Sequence, residues 1–333
     1  MYDRRQFLRA ISTAGVASLA GWRPPTAAAE PPPETTKFRI AEIPSSCRSP
    51  EWMAEELLHA EGFTDVQYIR KQGTQGMEEA LASGEANISG HFAAPVILRL
   101  EAGDPIVVLG GEHAGCFELF GHKHVRSVHD LKGKTVAIPA FNSSQHAFIA
   151  SIVAHVGLDA GKDIVWVRGP AEQSRQLFID GKADAYLGFP PDPQELRARK
   201  VGRAIVNSAV DRPWSQYFCC MLVGNRAWVR KHPVATKRAM RAILKATALC
   251  ALEPERAARA VVAKGLAKSY DHTLQAIKGL PYARWREFDP EDTVRFYALR
   301  LHEAGMIKST PQKIIAQATD WRFFNELKKE LKG

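Results

Sequence analysis

Four short stretches of this 333-residue chain gather residue types that hold small polar molecules. Pro44–Ser45–Ser46–Cys47–Arg48–Ser49 carries hydroxyls, a thiol and one guanidinium. The planar fork of Arg48 matches an anionic group, and Ser45 and Cys47 stand beside it. Ser89–Gly90–His91–Phe92 offers a hydroxyl, a glycine that lets backbone approach closely, an imidazole that changes charge near neutrality, and an apolar wall. In Phe141–Asn142–Ser143–Ser144–Gln145, Asn142 or Ser143 is able to cap a helix. The free N–H groups and the positive dipole end of that helix then face an anion. Gly188–Phe189–Pro190–Pro191–Asp192 carries a second aromatic wall at Phe189, followed by Pro190. Cys116 completes the candidate ligand contacts.

Other reactive residues point nowhere so specific. His113, Cys116, Glu118, His122, His124 and His129 are metal-ligating types, but their spacing is not that of a structural zinc site. On a strand, the period of two puts Cys116, Glu118, Phe120, His122 and His124 on one face, expected to be solvated and partly polar. A nucleophilic Cys116 needs His91 or His113 within hydrogen-bond reach as its base. GxSxG, P-loop, HExxH and CxxC patterns are all absent. The expectation is a binding protein, with no catalytic residues, metal or cofactor. Five cysteines, an odd number without framework spacing, predict no essential disulfide.

The elements that position these residues alternate. Strands are expected at Phe38–Ile43, Val66–Ile69, Ala86–Ser89 and Ile106–Gly110. Helices are expected at Gln75–Ser83, at Ala94–Glu101, and after Ser49 as N-cap with Pro50 in the first turn. The order returns with strands at Thr135–Ile138, Ile164–Val167 and Ala183–Leu187 and helices at Ser144–Val156 and Glu172–Asp180. The two copies align at an offset of 97 residues: Gly84–Glu85–Ala86–Asn87 faces Gly181–Lys182–Ala183–Asp184, and Phe92 faces Phe189. Alternation of this kind implies α/β lobes with parallel sheets, and two similar lobes make the cleft between them the natural ligand site. A strand at Cys220–Val223 and five helical segments, near 225–232, 234–252, 254–267, 289–304 and 320–331, follow.

Composition narrows the class. Hydrophobic residues make up 45% and charged residues 24%, enough for a large core. The net charge is +9. Residues 1–29 hold Arg4, Arg5, Arg9 and Arg23 against Asp3, so they account for +3 and the rest for +6. No basic stripe interleaves with aromatics, which argues against a nucleic-acid partner. Residues 1–29 read as an export leader: paired arginines, a short apolar run from Ala10 to Trp22, and Ala27–Ala28–Ala29 as cleavage site. The twin arginine followed by Phe7–Leu8 resembles the twin-arginine (Tat) signal and predicts a periplasmic protein.

Gly84–Glu85–Ala86–Asn87–Ile88–Ser89–Gly90, Ala102–Gly103–Asp104–Pro105–Ile106 and Asp130–Leu131–Lys132–Gly133–Lys134–Thr135–Val136–Ala137–Ile138, in that order, resemble the SsuA/TauA-like solute-binding proteins of ABC importers, the nitrate, sulfonate and taurine class. Relatives handle the pyrimidine precursor of thiamine. The resemblance spans roughly residues 37–260. It implies the two-lobed type II periplasmic-binding fold, with extra C-terminal helices, closing on its ligand by a hinge. The expected division is 1–29 leader, 30–117 with 213–333 as the first lobe, and 118–212 as the second. The implied role is capture of a small organic solute, anionic or planar and polar, by a monomer that docks on an inner-membrane permease and its ATPase. Two alternatives stand beside it, a pyrimidine-precursor synthase-like enzyme and a sensory solute-binding module.

Overall fold

The structure is a computed structural model describing residues 30–332. The predicted leader lies outside the described residues. The strands are β1 (Lys37–Glu42), β2 (Asp65–Arg70), β3 (Ile88–Phe92), β4 (Ile106–Ala114), β5 (Glu118–Gly121), β6 (Lys134–Ile138), β7 (Ile164–Arg168), β8 (Ala185–Gly188), β9 (Arg203–Asn207) and β10 (Phe218–Asn225). They form two lobes. In one, β1 pairs in parallel with β2, and a second sheet has the order β3-β10-β4. In the other, a single sheet runs β7-β6-β8-β5-β9.

Side chains join the two sheets of the first lobe. Asn87 Oδ1 accepts the Arg39 N–H at 2.8 Å, the Asn87 N–H donates to the Arg39 carbonyl at 2.9 Å, and Ser89 Oγ accepts the Ala41 N–H at 2.8 Å. The resulting order, β2-β1-β3-β10-β4, repeats that of the second lobe. The 97-residue repeat extends to these bonds. Asp184 accepts the Thr135 N–H at 2.8 Å and returns its own N–H to the Thr135 carbonyl at 2.9 Å, as Asn87 does with Arg39. In both copies the anchoring residue precedes the strand, so β3 starts at Ile88 and β8 at Ala185, later than the sequence suggests.

The chain passes between lobes twice. β4 runs to Ala114 and continues through Gly115–Cys116–Phe117 into β5; the return runs from β9 to β10. The crossings bond to each other: the Phe117 N–H donates to Ser208 Oγ and the Ser208 N–H to the Phe117 carbonyl, each at 2.9 Å. Gly115, at φ +66°, packs so closely that a Cβ there would sit 2.4 Å from Ala209 Cα.

The C-terminal region carries more helix than periodicity suggests. Helices at Pro233–Leu252, Pro254–Ala263, Pro290–Glu303 and Arg322–Glu330 match expectation closely, and two at Tyr270–Gly279 and Pro311–Ala318 are additional. The first buries only Thr273, Ala276 and Ile277, a face too small and polar to announce itself. Both open on side-chain caps, Ser269 and Thr310. The cap before Pro50 also differs: Ser49 is already helical, and its hydroxyl donates to the Ser46 carbonyl at 2.6 Å.

Candidate functional site

All four predicted loops converge where the lobes meet, and there they contact one another directly. Ser45 Oγ donates to the Pro190 carbonyl at 3.0 Å, and the Ser46 N–H donates to the same oxygen at 3.1 Å. The Phe92 and Phe189 rings, expected to face each other, lie 5.2 Å apart between centroids. Phe117 packs on both, at 4.6 Å and 6.1 Å. Thr74 Oγ1 approaches Ser144 Oγ at 3.5 Å, and Gln75 donates to the Phe141 carbonyl at 3.2 Å. The two lobes are in direct contact along these loops.

The helix Ser144–His155 is capped by Ser143, whose Oγ accepts the His146 N–H at 3.3 Å. Ser143 and Ser144 are buried; Asn142, at φ +62°, is exposed and turns the chain before the cap.

Arg48 departs most from expectation. It is 2% exposed, and its Nη2 lies 2.5 Å from Glu51 Oε1. The same carboxylate oxygen accepts the Gly90 N–H at 3.0 Å. Gly90 is required here, because a Cβ would stand 2.5 Å from Glu112 Oε2, 2.6 Å from Glu51 and 2.8 Å from Arg48. Instead of offering a free guanidinium to a solute, Arg48 pairs with buried Glu51 beneath the loop, with the buried Glu112 carboxyl beside the pair. Burial, and next the neighbouring charge of Glu51, hold the Glu112 carboxyl well above the usual range. Burial and the Arg48 charge push His91 well below its ordinary value, so this ring is neutral.

Cys116, Cys47 and Cys220 meet behind the loops, with Cys116 Sγ 3.5 Å from Cys220 Sγ. Burial pushes the Cys47 thiol up to about 12. Beside them, His113 sets one ring nitrogen 3.0 Å from the Ala114 carbonyl and the other 3.1 Å from the Cys47 carbonyl. Only the doubly protonated ring donates to both. Burial opposes that charge, but the neighbouring Cys220, Glu112 and Cys47 together outweigh it and raise His113 to about 10. The histidine-rich run after Cys116 does not gather. His122 bonds the Phe178 carbonyl and His124 bonds Asp184. Cys116 precedes β5, so the alternation that put it on one face with His122 does not apply.

A cavity of about 300 Å³ remains between the lobes. Cys116 and Glu118 line it from the crossing, Pro190, Gln194, Arg197 and Asn207 from the second lobe, and Gln275 and Leu280 from the additional C-terminal helix and its end. Arg197 ion-pairs with Glu118 across it. Burial holds the Glu118 carboxyl above its ordinary value, with Arg197 opposing. Sequence reasoning missed Glu118, Gln194 and Arg197 as wall residues. Arg197 lies within a basic cluster with Arg199 and Lys200, the one signal that marks it.

The order of strands, the paired crossings and the cleft define a two-lobed α/β binding fold of the type II periplasmic kind. The NMT1/THI5-like family matches residues 59–257, more than half of the chain, and the protein belongs to it. No curated protein matches the chain. Among solved structures, the periplasmic nitrate-binding protein NrtA of Synechocystis PCC 6803 superposes with a TM-score of 0.76 at 14% identity, covering 91% of this chain and 90% of that one. The alkanesulfonate-binding protein SsuA of Xanthomonas axonopodis pv. citri, bound to MOPS, gives 0.70 at 17% identity over 86% and 99%. The desulfurization enzyme DSZB gives 0.58 at 16% identity over 88% and 99%. At these identities the likeness concerns the fold. Among the described residues, no helix is long and apolar enough to cross a membrane.

Proposed function

We propose that this chain is the substrate-binding component of an ABC importer, exported by a Tat leader to the periplasm. In this reading it is a monomer of two lobes, 30–117 with 213–333 and 118–212. It encloses a small organic solute and presents the closed form to a permease and its ATPase. One observation carries the proposal: the cavity is walled by both lobes and by a crossing segment, so a bound solute bridges them and favours closure. Its volume lies at the small end of the ~300–1,000 Å³ usual for ligand sites. The neighbours named as nitrate- and sulfonate-binding proteins support the same role.

The wall also sharpens the solute class. Glu118 and Arg197 present both charges, and Gln194, Asn207 and Gln275 present amides. Such a lining suits a compact polar molecule with donors and acceptors, its acidic group facing Arg197 rather than Arg48. Ser45, the Phe92–Phe189 pair, Ser143 and Ser144 lie at the interface closed by the solute, while Cys47 and His91 lie behind it.

A thermal-shift panel of sulfonates, carboxylates and pyrimidines on the purified chain tests this. At least one class should raise the melting temperature, and Arg197→Met should abolish that shift. No shift with any organic class, or a shift with inorganic nitrate alone, overturns the reading. Turnover of a panel compound would instead favour the enzymatic alternative.

A further inference from the structure

We propose that Cys47, Cys116 and Cys220 form a three-coordinate site for a thiophilic d10 cation, with Cu(I) the best match. The three sulfurs come from separate segments: the loop after β1, the crossing, and β10. All three side chains are buried, and their Sγ atoms lie within 4.8 Å of one another. A cation about 2.3 Å from each of three sulfurs spaces them about 4.0 Å apart. Cys116 and Cys220, 3.5 Å apart, would open slightly and the other pairs, at most 4.8 Å apart, adjust by under about 1 Å to reach that spacing.

The surroundings select the metal. Among the described residues this is the one group of three such ligand atoms that converge. Neither nitrogen of His113 is free to bind a cation, because each meets a carbonyl oxygen. Cys219, buried on the same strand, contacts Cys116 and Cys220 but lies outside the mutual 4.8 Å spacing of the three. Structural zinc sites take four ligands in a tetrahedron, whereas three sulfurs share the mutual spacing here. Thiolate ligands select Cu(I) among the remaining common ions. Entry is provided for, since Cys116 lines the cavity between the lobes while Cys47 and Cys220 stand behind it. Binding displaces the thiol protons, which leave through the same opening to buffer. The site shares Cys116 with the wall of the solute cavity, so metal and solute are read by separate measurements.

The test uses the full chain, reduced and metal-free, under anaerobic conditions. Cu(I) is titrated in competition with a colorimetric Cu(I) chelator, and X-ray absorption reads the metal's neighbours. One equivalent should be retained, with three sulfur neighbours and no nitrogen. Cys47→Ser, Cys116→Ser and Cys220→Ser should each weaken retention at least tenfold, whereas Cys250→Ser and Cys219→Ser should retain it. The wild-type titration stands even if a variant does not fold. Failure of reduced wild type to retain Cu(I), a nitrogen neighbour, or unchanged retention in Cys116→Ser overturns the proposal. Solute binding is scored separately, by the thermal-shift panel, so failure of one proposal leaves the other intact.

Discussion

Removing the Arg48 guanidinium with Arg48→Met should destabilise the protein severely while leaving the fold's shape intact. Methionine fills much of the same volume but leaves the Glu51 carboxyl buried with only backbone N–H groups, those of Gly90 and of Glu51 itself, to satisfy it. Breaking a buried pair by deleting one partner costs about 3–5 kcal/mol. At roughly 2 °C per kcal/mol for a chain of this size, the melting temperature should fall by about 6–10 °C. The pH dependence identifies the cause. Burial already raises Glu51, with Arg48 the main opposing influence, so the variant carboxyl is raised further. A carboxyl raised in the fold stabilises below its unfolded value and loses that contribution as pH rises. The deficit relative to wild type should therefore be largest at pH 8 and shrink toward pH 5. Adding Glu51→Gln, which keeps an acceptor for the Gly90 N–H, should restore at least half of the loss. Calorimetry on the single and double variants at both pH values completes the cycle. A single variant melting within 2 °C of wild type, or a double variant no more stable than the single, would refute the reasoning.

Three further outcomes are expected. Glu78 is buried in the helix Gly73–Ala82, and burial raises its carboxyl to about 8 from 4.5. Its contribution is full below pH 4.5 and falls as pH rises to about 8, so Glu78→Gln should flatten the stability profile in that window and be the more stable protein at pH 8, by urea titration. Gly115→Ala places a methyl against Ala209 backbone in a left-handed conformation, and should cost about 2–4 kcal/mol while loosening the Phe117–Ser208 pairing, seen as faster amide exchange at both residues. Asn87→Ala and Asp184→Ala should each cost about 1–3 kcal/mol by orphaning a strand N–H, and a negligible loss in either would remove the structural meaning of the repeat.

Much of this protein is written locally. The alternation of short β-rich and helical segments, with glycines before each anchoring Asn87 or Asp184, determined the α/β lobes and their duplication. Ser143 before an apolar run determined a helix start, because capping is satisfied within three residues. The four loops at strand ends were legible for the same reason, since chain direction alone puts them on one side of each sheet. What each loop does was decided only by the tertiary structure. Arg48 reads as a free cation until Glu51, three residues on in the helix Ser49–Met53, and Glu112, brought in from β4, stand beside it in a buried place. The weak, polar face of Tyr270–Gly279 gave no periodic signal, yet that helix walls the cavity. The three thiols lie far apart in sequence, and no spacing rule applies to ligands that three different segments deliver to one point. Sequence patterns report what a residue does for its own element; burial, charge pairing and convergence belong to the packing of elements against each other.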